Sequence, residues 1–100
     1  MNYKLAKQLK EAGFPQEEGI GGWIEKDESI NVFRSFEPSV KYPTLEEVIE
    51  ELGEHFKSLE FRTNGEEDCY LATSTIDTGH YSTAKTPLEA VSNLYIKLKE

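Results

Sequence analysis

The chain reads as a single α+β domain over residues 1–100, an antiparallel β-sheet meander with about three α-helices packed mainly on one face. Three observations lead there. A threonine followed three residues later by a glutamate precedes an apolar helical repeat at two places, as Pro43-Thr44-Leu45-Glu46-Glu47 and as Thr86-Pro87-Leu88-Glu89. In each, the hydroxyl can accept from an orphan backbone N–H while the carboxylate reaches back to the cap's own N–H, so each opens a helix. Between the two helices, short strand-like segments separated by turn residues fill 57–84. A chain of 100 residues also suffices for one core, burying roughly 60–70% of the surface its unfolded form exposes.

The elements follow in order. Asn2 caps a first helix over 3–12, in which Leu5, Leu9 and Ala12 recur at helical spacing. Gly13 can take the left-handed position that ends it, Phe14 can fold back on the last turn, and Pro15 blocks continuation. A hairpin is expected over 23–36, with Trp23-Ile24-Glu25 and Ser29 to Phe36 as arms around Lys26-Asp27-Glu28. Pro38 and Pro43 bracket a connector. The helix over 44–53 places Leu45, Val48, Ile49 and Leu52 on one stripe, and Gly53 closes it. Strands over 57–84 form a second hairpin around Asn64-Gly65, then a third strand after Asp77-Thr78-Gly79. The last helix, 87–99, starts with Pro87 at its first position and buries Leu88, Val91, Leu94, Tyr95 and Leu98.

Eleven basic against nineteen acidic residues give a net charge of −8. Such a surface repels phosphate backbones and anionic lipid, so neither nucleic-acid binding through a basic patch nor membrane binding is expected. No long apolar run occurs, and the amphipathic N-terminus predicts no signal peptide, which points to the cytoplasm. A lone cysteine, Cys69, agrees with a reducing compartment.

Residues that could carry chemistry are few, and each has an ordinary structural reading. His55, His80, Cys69 and the run Glu66-Glu67-Asp68 are the conceivable metal ligands, but their spacing is not that of a metal site, so no metal or cofactor is expected. Asp77-Thr78-Gly79 matches the aspartic-protease tripeptide in a single copy and reads better as a turn. Cys69 with a histidine would make a nucleophile pair, yet among Tyr70, Leu71 and Ala72 it reads as a small strand residue. Gly19 to Gly22 lacks the preceding strand and following Lys of a phosphate loop. No catalytic residue is assigned.

Two surfaces are candidates for a partner. Glu46, Glu47, Glu50, Glu51 and Glu54 crowd one helix, either as a docking face for a basic protein or as a solvated outer face. Trp23, with Phe33 and Phe36, either anchors an interface or closes the core. A homo-oligomer remains a further alternative.

The blocks Leu5-Ala6-Lys7-Gln8-Leu9-Lys10-Glu11-Ala12-Gly13-Phe14-Pro15-Gln16, Tyr42-Pro43-Thr44-Leu45-Glu46-Glu47-Val48-Ile49 and Thr86-Pro87-Leu88-Glu89-Ala90-Val91-Ser92-Asn93-Leu94-Tyr95 resemble those of small, mostly uncharacterised bacteriophage and prophage proteins. The order helix, antiparallel strands, helix over 44–99 is similar to the phage ABA sandwich domain, and the strand-to-helix junction at Thr86-Pro87-Leu88-Glu89-Ala90 resembles the HicB-type antitoxin domain. These blocks are caps and core positions, so the resemblance implies a shared fold and no catalytic residue. The expected function is a non-enzymatic, phage-type accessory protein that acts as a protein-interaction module. The alternatives are an antitoxin-like or inhibitor module using the acidic helix on a basic partner, and a small enzyme.

Overall fold

A computed structural model describes residues 2–16, 22–31, 39–63, 65, 67–75 and 81–99. The chain runs α1 (Tyr3–Glu11), β1 (Gly22–Glu25), β2 (Ile30–Asn31), β3 (Ser39–Tyr42), α2 (Leu45–Leu52), a 3-10 turn (Gly53–His55), β4 (Phe56–Thr63), β5 (Asp68–Ser74), β6 (Tyr81–Ala84) and α3 (Pro87–Lys99). The protein is thus an α+β domain with three helices and two small antiparallel sheets, ordered β2-β1-β3 and β4-β5-β6. Among the described residues, no helix is long and apolar enough to cross a membrane.

Side chains start and stop the helices. Asn2 Oδ1 accepts from Leu5 N at 2.9 Å, and the Glu28 carboxylate, from the hairpin turn, accepts from Tyr3 N at 2.9 Å. Two orphan donors of α1 are thereby satisfied, one by a residue distant in sequence. At the other end Gly13 lies at φ +100°, Phe14 N donates to Leu9 O and Gly13 N to Lys10 O. That pair of hydrogen bonds is a Schellman stop, and it turns Phe14 back into the core. Thr44 and Glu47 close a reciprocal box: Glu47 N donates to Thr44 Oγ1 at 3.2 Å and Thr44 N to Glu47 Oε1 at 3.0 Å. Thr86 Oγ1 accepts from Glu89 N at 3.2 Å.

The first sheet differs from the sequence reading. Residues 39–42, expected to be connector, form β3 and pair with β1 from Gly22↔Tyr42 to Glu25↔Ser39. The strand lacks a hydrophobic alternation because both of its faces are covered, with Val40 turned to Ala6 and Ile24 and with Lys41 also buried. Of the expected hairpin, Trp23 to Asn31 is seen, with β2 pairing only through Ile30 and Asn31. Residues 32–36, which include Phe33 and Phe36, lie outside the described residues, as do Gly19 to Gly21. Its turn bonds Glu28 N to Glu25 O at 2.9 Å, places Glu28 at φ +71°, and has Ser29 N donate to Asp27 Oδ1 at 3.0 Å. Hydrogen bonds from Ser29 hold the Asp27 carboxyl below its ordinary pKa.

The second sheet is the expected meander. β4 pairs with β5 from Phe56↔Ser74 to Thr63↔Asp68, with a register shift between Phe56 and Ser58, and β5 pairs with β6 from Tyr70↔Ala84 to Thr73↔Tyr81. Asn64, Glu66 and 76–80 lie outside the described residues. α3 covers β5 and β6 with Val91, Leu94 and Tyr95 buried, while Leu88 and Leu98 are half-buried. The main core gathers Leu9, Phe14, Val48, Leu52 and Ala72 around α3, with Phe14 and Tyr95 meeting edge to face at 5.5 Å between centroids. A smaller cluster of Ala6, Ile24 and Val40 joins α1 to the first sheet.

Candidate functional site

The acidic helix divides into two kinds of glutamate. Val48 and Leu52 anchor α2 in the core, and the helical repeat then turns Glu46, Glu50 and Glu51 outward, where all three are exposed, as is Glu54 in the 3-10 turn. Among the described residues, none of these four carboxylates makes an ion pair. Glu46 lies in the first turn, where the helix dipole favours an anion, whereas Glu50, Glu51 and Glu54 crowd the C-terminal end, where it does not. No basic residue occupies that last turn. Glu51 also acts inward: after burial, its charge is the second cause that raises the Tyr95 pKa above the ordinary phenol value.

Glu47 is the exception. Its Oε1 accepts from the Thr44 N–H and hydroxyl, and its Oε2 lies 3.4 Å from Lys41 Nζ, a side chain only 1% exposed. This carboxylate is committed to the fold. Lys41 Nζ also sits 5.7 Å from the centroid of the Trp23 ring, its neighbour in the β1–β3 register. Trp23 itself is 1% exposed. Of the two sequence readings of Trp23, its burial beside Lys41 fits closing the core rather than an exposed partner surface.

The residues considered for catalysis or metal binding are spread apart. Cys69 is half-buried on β5 opposite Arg62, and these two line a small pocket of about 160 Å³ with Thr63 and Glu67. His55 is exposed at the far end of the sheet, its carbonyl accepting from Thr75 N. Cys69 and Ser74 are five positions apart on β5, about 17 Å at the rise of a strand, so His55 cannot reach the thiol. His80, Glu66 and Asp77-Thr78-Gly79 lie outside the described residues. Among the described residues, no group of three His, Cys, Asp or Glu is placed to hold a metal ion.

Two features escaped the sequence reading. Lys41 looked like a connector residue, although the glutamate at the third helical position of α2 was a cue that one carboxylate would be committed rather than free. The second is the outer edge of β4, where Phe61 is 55% exposed beside the alternating charges of Glu60 and Arg62. Compared with protein-family models, with curated proteins and with solved structures, the chain shows no significant match.

Proposed function

We propose that this is a phage- or prophage-type accessory protein of the cytoplasm, a non-catalytic interaction module that docks a basic protein partner through Glu46, Glu50, Glu51 and Glu54. The observation that carries this reading is the placement of Glu50, Glu51 and Glu54. They crowd the end of α2 where the backbone dipole opposes anions, and all are exposed without an ion pair among the described residues. Each like-charged pair at i, i+4 costs about 0.2–0.5 kcal/mol in an isolated helix, and a cationic partner would reverse the sign of that interaction. The resemblance of three sequence blocks to those of small phage proteins is what suggests the accessory role, and the net charge of −8 favours a cationic partner over nucleic acid.

The test is retention of cellular proteins on immobilised wild-type chain and on the Glu46→Lys/Glu50→Lys/Glu54→Lys variant at about 0.15 M salt, where surface charges act over roughly 8 Å. Basic proteins held by the wild type and released by the variant support the reading. Identical retention by both eliminates it.

A further inference from the structure

We propose that the outer edge of β4 is a self-association surface, on which a second copy of this chain adds antiparallel across a two-fold axis at Phe61 to form one six-stranded sheet. This goes beyond the docking of a partner on α2 and uses none of its glutamates. β4 is the edge of its sheet and, at eight residues, the longest strand among the described residues. Among the described residues β4 pairs with β5 alone, and none of them bonds its outer N–H and C=O groups, the arrangement onto which a further strand adds. The register shift is confined to the beginning of the strand, which leaves 58–63 regular.

Charge selects the occupant and the register. Glu60 and Arg62 point to one face of β4 and Phe61 to the other. With the axis at Phe61, Glu60 stands opposite the partner's Arg62 and Arg62 opposite the partner's Glu60, at cross-strand Cβ separations of about 4.5–5.5 Å. Moving the axis to residue 60 would oppose two glutamates, and moving it to residue 62 would oppose two arginines. Glu60 and Arg62 already share a hydrogen bond of 2.6 Å within the strand, with side chains 48% and 61% exposed, so both are held over the face where the second copy would meet them.

The other face supplies the apolar contact. Phe61 follows the parity of Leu59, which packs on the core, yet it is itself 55% exposed. Its ring meets Tyr70 edge to face, at 5.4 Å between centroids. Pairing across the axis brings the two Phe61 rings together with the two Tyr70 rings behind them.

Sedimentation equilibrium up to about 1 mM chain tests this. Wild type is expected to approach twice the 11.4 kDa monomer mass and no more, because a two-fold contact closes on itself. Arg62→Glu and Glu60→Arg should each raise the dissociation constant tenfold or more, since the axis repeats every substitution. An equimolar mixture of the two should associate as wild type does, because Glu60 and the introduced glutamate of one chain then face two arginines of the other. In that mixture each chain's own pair is like-charged, so recovery reports the contact between copies. Far-UV circular dichroism confirms the fold of each variant. A wild type that remains monomeric, a mixture no better than the single variants, or growth beyond a dimer each overturns the proposal.

Discussion

Replacing Glu47 with alanine removes two things at once, and their sizes follow from the geometry. The carboxylate closes the capping box through the Thr44 N–H at 3.0 Å, and losing a cap costs about 1 kcal/mol. It also faces the Lys41 ammonium at 3.4 Å, and Lys41 is 1% exposed while Glu47 is 20% exposed. Breaking a fully buried pair from one side costs about 3–5 kcal/mol; partial exposure and the Trp23 ring place this one lower, for a total of about 2–4 kcal/mol. Glu47→Gln keeps an acceptor for Thr44 and should cost about 1–2 kcal/mol. The control is Glu50→Ala, which removes the same charge from an exposed site and should stay within about 0.5 kcal/mol of wild type. Urea denaturation followed by fluorescence suits the question, because Trp23 is the only tryptophan and is buried against Lys41. With a urea slope of about 1–3 kcal/mol per molar, Glu47→Ala should lower the midpoint by roughly 1 M or more. Coincident midpoints for Glu47→Ala and Glu50→Ala would refute the assignment of this carboxylate to the fold.

Three further outcomes are expected. Leu94, fully buried where α3 meets the main core, should lose about 2–5 kcal/mol on replacement by alanine, and an unchanged urea midpoint would show that the core lies elsewhere. Ser92 is also fully buried and, among the described residues, its Oγ has no hydrogen-bond partner. Ser92→Ala should therefore stabilise by about 1 kcal/mol, a Tm rise of about 4–8 °C for a domain of this size, and a fall in Tm would mean the hydroxyl is bonded. Tyr95 is held protonated above its ordinary value of 10.0, first by burial and then by the charge of Glu51. Below pH 10 its contribution is complete; as pH rises further the unfolded chain releases the proton and the folded one resists, so stability falls. Tyr95→Phe should flatten that alkaline decline in a denaturation series from pH 8 to about 11, and an unchanged slope would remove Tyr95 from it.

Helix boundaries were the most legible feature because they are written in short-range chemistry. Asn2, the Thr44 and Glu47 pair, Thr86 and the Gly13-Phe14 stop all act within a few residues of themselves, and each is found in place. The meander was legible because its strands are adjacent in sequence and pair with their neighbours in order. β3 was not, because a strand of four residues with a lysine in it looks polar until Trp23 and Glu47 are brought to that lysine from elsewhere in the chain. The acidic face shows both limits together: composition identified five glutamates, but only tertiary packing separates Glu47, spent on Lys41, from the four that face solvent. Trp23 was ambiguous on sequence for a related reason, since hairpin aromatics can face either way and only the pairing with β3 decides.

The position of α1 has a consequence for how the molecule opens. Ala6 belongs to the cluster on the first sheet and Leu9, one turn later, to the main core. The same helix is tied to the hairpin turn through Glu28, while Gln16, just beyond its stop, accepts from Lys41 N on β3 at 2.8 Å. Among the described residues, α1 thus links the first sheet to the main core. The amides on β1 and β3 should exchange with hydrogen from water at the rate of the α1 amides, as a single opening unit.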